Sequence, residues 1–192
     1  MSNHIELGRS PESLEDRQGL IREIIKSDEI NEIEGLNIIQ KNVFDLLTSQ
    51  KGYPNSCISA NKDIKVKLPD VEFVVKGDLM VSINGTFVMA IKCAINSVES
   101  WERYSLAFAR TVFDDYQIPF AVVTDSETYI LIDTLKGEVI SRDKDDIPTY
   151  SYLMETVMKE GIPAPYHKDK IEKERRILHA FNAIRCSGEI CD

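Results

Sequence analysis

The stretch VVKGDLMVSINGTFVMAIKCA, Val74 to Ala94, decides how the sequence around it folds. Two apolar runs flank Asn84-Gly85, a dipeptide that favours a tight hairpin turn. Asp78 lies in the interior of the first run, with Lys76 two residues before it, and Lys92 lies in the second. Burying unpaired charge is unfavourable, so an Asp and a Lys on adjacent apolar strands mark a pair or a site. Side chains alternate along a strand, so Asp78, Met80 and Ser82 share one face, and Val88, Ala90 and Lys92 share one face of the second strand. A two-residue turn at Asn84-Gly85 would send Asp78 and Lys92 to opposite faces. A three-residue loop, Ile83-Asn84-Gly85 with Gly85 left-handed as a bulge, sets Asp78 across from Ala90, with Lys92 diagonal on the same face. The bulged loop is the expectation here.

Working outward, helices and strands alternate around this hairpin. Ser10-Pro11-Glu12-Ser13 reads as a helix start running to about Lys26, with Ser10 as cap and Pro11 at the first position. A second helix is expected from about Ile33 to Gln50, where Leu36, Ile39, Val43 and Leu47 repeat at helical spacing. A basic strand, Asp63 to Leu68, precedes the hairpin. A helix from about Ser97 to Asp115 follows it, with Val98, Trp101, Ser105, Phe108 and Val112 on one face. Phe120 to Thr124 is a continuous apolar run, hence a buried strand. Thr128 to Asp133 gives another strand, and Thr134 to Glu138 turns the chain. Tyr150 to Glu160 reads as a short helix, and Gly161 to Pro165 as a linker. Lys168 to Ile184 is a charged helix with an apolar stripe of Ile171, Ile177, Leu178, Phe181 and Ile184. The fold class is therefore α/β of the α+β kind, a mixed sheet flanked by helices. Residues 31–147 form the core, with helical extensions at 1–30 and 148–192.

Composition narrows the function. The chain has 192 residues, 43% hydrophobic and 29% charged, which is globular usage with room for a full core. The net charge of −9 argues against a strong non-specific nucleic-acid binder. Lys62, Lys65, Lys67 and Lys76 still cluster on the first two strands; they either contact phosphates or protect an exposed sheet edge. No apolar stretch approaches a membrane span, and MSNHIELGRSPES has no apolar signal region, so a cytoplasmic location is expected. The four cysteines, Cys57, Cys93, Cys186 and Cys191, are expected to be reduced thiols. Cys186 and Cys191 lie near His167 and His179 but form no zinc motif. Cys93 follows Lys92 and so points to the opposite face, into the core. No Walker loop, G-x-S-x-G or Rossmann glycine pattern is present.

An Asp early in a strand, a hairpin, and a Lys near the end of the next strand resemble the signature of the PD-(D/E)XK nuclease superfamily, whose pattern has an acid two residues before that lysine. The segment from about Asn31 to Ile140 resembles the N-terminal nuclease domain of type I restriction enzyme R subunits: a helix ending at Lys51-Gly52-Tyr53-Pro54, a basic strand, the hairpin, a helix, and a further strand. The resemblance implies a restriction-endonuclease-like fold and Mg²⁺-dependent DNA cleavage. It makes Asp78 the metal ligand and Lys92 the residue that orients the attacking water. Ala90 stands where the second acidic ligand is expected, and Mg²⁺ usually takes one or two carboxylates besides water and phosphate oxygens, so any metal at Asp78 would be held weakly or not at all. Candidates for a relocated acid are Glu34 (with Glu32 beside it) on the second helix and Glu99 and Glu102 after the lysine strand, where acids also simply favour a helix N-terminus.

Three readings follow. The chain is a stand-alone endonuclease using Asp78, Lys92 and a relocated acid. Or it is a catalytically inactive nuclease-fold protein that binds DNA or another protein. Or it is an accessory protein that dimerises, or meets a separate motor or partner protein, through its terminal helices.

Overall fold

A computed structural model describes residues 37–95 and 97–186 of the chain, together with 18, 19 and 35, with side chains described to residue 182. By internal contacts the chain divides into two units, Met1–Gly35 and Leu36–Asp192. Within the first, Gln18, Gly19 and Gly35 are helical. The expected helix from Ser10 otherwise lies outside the described residues, as do Glu32, Glu34 and Cys191.

The second unit is an α+β fold. Helix α1 (37–49) leads into six strands: β1 (Ile58–Lys67), β2 (Glu72–Ile83), β3 (Thr86–Cys93), β4 (Phe120–Thr124), β5 (Tyr129–Asp133) and β6 (Glu138–Ser141). They form one sheet in which spatial order equals chain order. Neighbours are antiparallel except β3 and β4, which are parallel. A parallel pair needs a long crossover, supplied by helix α2 (Glu102–Thr111) after a 3₁₀ turn at Val98–Trp101. Helices α3 (Tyr150–Glu160) and α4 (Lys168–Cys186) follow the sheet and lie in the same unit.

Helices cover both faces, which explains why β4 and residues 87–91 of β3 read as unbroken apolar runs. On one face Val43 and Leu47 of α1 and Leu153 of α3 pack with Leu79, Val81, Ile91, Val122 and Leu131. On the other, Phe108 of α2 and Leu178 of α4 pack with Val66, Val75, Met80, Val123 and Ile130. Thr149 caps α3 by accepting from the Tyr152 N–H at 3.3 Å, and Gly161, at φ 77°, ends it in a conformation that costs glycine little. Helix α4 is fixed to α2 by a two-pronged Arg103–Glu174 contact, 2.6 and 2.8 Å, and by Arg175, whose guanidinium donates to the carbonyls of Thr111 and Lys67.

The hairpin departs from expectation in a specific way. Asn84 and Gly85 both adopt positive φ, 51° and 82°, and Ile83 pairs with Thr86, so the turn has two residues. Asn tolerates the left-handed conformation, so this dipeptide fits a turn that needs it twice. The extra residue lies farther up the ladder. Ser82 pairs with Phe87 and Val81 with Met89, which leaves Val88 as a bulge. That bulge shifts the alternation of β3 by one and sets Leu79 against Ile91 and Met80 against Ala90.

A second irregularity places Asp78. Val75 and Met80 belong to the same core although five residues apart, so β2 changes face between them. The ladder to β1 pairs Lys62 with Gly77 and Ala60 with Leu79, and between these Asn61 has a φ of 51°. The amide of Gln40 on α1 donates to Asn61 Oδ1 at 3.1 Å and to the Asp78 carbonyl at 3.5 Å, holding the kink from behind. A Cβ on Gly77 would sit 2.5 Å from Met80 Sδ, so a side chain there would have to displace Met80.

Candidate functional site

Asp78 and Lys92 meet in the face of the sheet covered by α2. Both are 5% exposed, and Lys92 Nζ lies 2.6 Å from Asp78 Oδ2. The same oxygen accepts the Cys93 backbone N–H at 2.9 Å. Two charges withdrawn from water at this depth persist only with such geometry, since the desolvation cost is several kcal/mol per ion. Helix α2 and the turn before it supply the rest of the surroundings. Lys92 Nζ lies 4.9 Å from the Trp101 ring centre and 5.8 Å from that of Tyr104, in range for a cation–π interaction. Phe181 of α4 packs on both rings, at 5.6 Å from each.

Beside the pair is a space of about 10 Å³ lined by Asp78, Ala90, Lys92, Tyr104, Ser105 and Phe108, among others. Ala90 fills the position expected of a second acid with a methyl group. Ser105 borders the same space, and its buried hydroxyl makes no hydrogen bond. Spacing on α2 put Ser105 on the inward face, but nothing in the sequence marked it as a neighbour of the pair. Trp101 and Tyr104 form the wall around Lys92.

The relocated acids separate. Glu99 is exposed on the 3₁₀ turn. Glu102 accepts from Arg142 at 2.9 Å, an ion pair outside the Asp78–Lys92 surroundings. Glu34 lies outside the described residues. Among the described residues, no group of three or more His, Cys, Asp or Glu side chains is placed to hold a metal ion.

By register Lys65, Lys67 and Lys76 lie on one face of β1 and β2, interleaved there with Asp63 and Glu72, and Lys62 lies on the other. Lys65 and Lys67 both approach Glu72, at 3.8 and 3.4 Å, and all three are largely exposed. Lys62 lies over the Phe87 ring at 4.8 Å. Lys76 is exposed and stands across from Asp63 in the ladder. Since β1 is the sheet's edge strand among the described residues, these charges sit where lysine discourages edge pairing.

Cys93 occupies the opposite face, packed in the α1–α3 core at 1% exposure. Burial pushes its thiol pKa up to about 12; the Asp78 charge adds to the rise and Lys92 partly offsets it. Such a thiol is no nucleophile at neutral pH. No helix among the described residues is long and apolar enough to cross a membrane.

Comparison of the chain with family models, curated proteins and solved structures finds no match in any of the three.

Proposed function

We propose that this chain has a restriction-endonuclease-like fold in which the nuclease-site position has become a structural ion pair, and that it acts as a non-catalytic interaction module. The order helix, three antiparallel strands, helix, parallel strand supports the fold assignment. One observation carries the loss of catalysis. On the face where Asp78 and Lys92 meet, the neighbouring β3 residue is Ala90, and Asp78 Oδ2 is already engaged by Lys92 and the Cys93 N–H. A Mg²⁺ ion would have to displace Lys92 from that oxygen and find its remaining ligands elsewhere. Asp63 and Glu72 interleave with Lys65, Lys67 and Lys76, and with the net charge of −9 this favours a protein partner over DNA.

The test is calorimetric titration with Mg²⁺ and Mn²⁺ of the wild type, Ala90→Glu and Asp78→Asn, with plasmid cleavage on the same samples. Asp78→Asn keeps an oxygen for Lys92 and Cys93 while removing the charge. The expected result is no binding and no cleavage by the wild type at millimolar metal, and measurable binding by Ala90→Glu, which restores a second carboxylate. Wild-type cleavage that disappears in Asp78→Asn would overturn this reading. It would establish the Mg²⁺-dependent endonuclease, with Glu34 as the next acid to replace.

A further inference from the structure

On the other side of the sheet, β6 and α3 enclose a groove of about 490 Å³, within the range of ligand-binding clefts. Its walls expose large apolar side chains that a solvated surface does not require: Leu135 is 50% exposed, Ile140 52% and Tyr152 55%. Its rim is acidic. Glu138 and Glu160 flank the opening, and no ion pair joins either of them among the described residues. The rim base Lys136 is turned to Asp133, 3.4 Å away.

We infer that this groove receives a segment of another protein that carries apolar side chains flanked by Lys or Arg. The exposed apolar walls supply contact area, and the rim carboxylates select a cationic flank. Charge disfavours a second copy of this chain, because two like rims would bring four carboxylates together on molecules of net charge −9. The edge of β6 also disfavours plain strand addition. Its pairing with β5 slips between Leu131 and Ile132, a bulge of the kind that spoils an edge for further pairing. Recognition is therefore by side chains in the groove. The inference gives a partner class to the interaction module proposed above and rests on that reading.

The experiment is fluorescence anisotropy with three labelled peptides that share one apolar centre of Leu, Phe and Val and are flanked by Lys/Arg, by Ser or by Glu. The full chain is titrated as wild type, as Leu135→Asp/Tyr152→Ser and as Glu138→Lys/Glu160→Lys. These side chains are exposed, so the variants should fold, which circular dichroism checks. The Lys/Arg-flanked peptide is expected to bind about tenfold tighter than the Ser-flanked one. The first variant should abolish binding, and the second should transfer the preference to the Glu-flanked peptide. Absence of saturable binding, equal affinity for all three peptides, or indifference to both variants would overturn the proposal. So would self-association of the wild type that Tyr152→Ser abolishes, which would make a second copy the occupant. The metal titration reads the α2 face and the peptide titration reads the α3 face, so failure of the groove is told apart from failure of the reading it rests on.

Discussion

At the scale of single residues, the Asp78–Lys92 pair makes the strongest prediction. Removing one partner of a buried pair leaves the other uncompensated, so Asp78→Ala should destabilise the fold by about 3–5 kcal/mol in urea denaturation. The double change Asp78→Leu/Lys92→Met should recover most of that loss, because an apolar pair of similar volume carries no desolvation cost. A double variant as unstable as the single one would show that Lys92 is held by more than Asp78. Ser105 gives a prediction of opposite sign. Its hydroxyl is buried without a partner on a helix, so Ser105→Ala should stabilise by about 1 kcal/mol. A loss of stability instead would reveal a bonded water beside the pair. The meeting of Asp78 and Lys92 was legible in the sequence only in part. Two charges in apolar strands announced a shared face, but the predicted three-residue loop was wrong. Asn84-Gly85 makes the two-residue turn, and the compensating bulge sits at Val88, an ordinary strand residue that bears no local mark.

At the scale of elements, legibility followed length. Helix α3 occupies Tyr150–Glu160 as expected, and α4 runs Lys168–Cys186 with Leu178 of its predicted stripe fully buried. The expected helix from Ser97 to Asp115 is shorter. It begins as a 3₁₀ turn and ends at Thr111, because hydrogen-bond periodicity stops before the apolar pattern does. Strand β6 was missed altogether: four residues between Gly137 and a polar run are too few to show a period. The docking of α4 on α2 can be followed optically, since Trp101 is the chain's single tryptophan and packs against Phe181. Phe181→Ala should shift tryptophan emission to the red and cost about 2 kcal/mol in chemical denaturation. An unchanged spectrum would mean that other contacts keep Trp101 shielded from water.

At the scale of the whole molecule, burial of weak acids sets the alkaline limit. Below about pH 9 the Cys93 thiol is protonated in both the folded and the unfolded chain. Above that pH the unfolded chain ionises first, while the folded thiol holds its proton to about 12, so stability should fall across this window. Burial raises the Tyr53, Tyr116 and Tyr129 hydroxyls as well, which adds to the fall. Urea midpoints measured from pH 8 upward should decline, and Cys93→Ala should flatten part of the decline. An identical slope in that variant would assign the whole effect to the tyrosines. The sheet itself has a consequence for how the chain reaches this state. Because strand order in space equals strand order along the chain, every strand after β1 finds its neighbour already made when it emerges during synthesis. Only the β3–β4 pairing waits for the α2 crossover to form, and that closure is the step expected to set the folding rate.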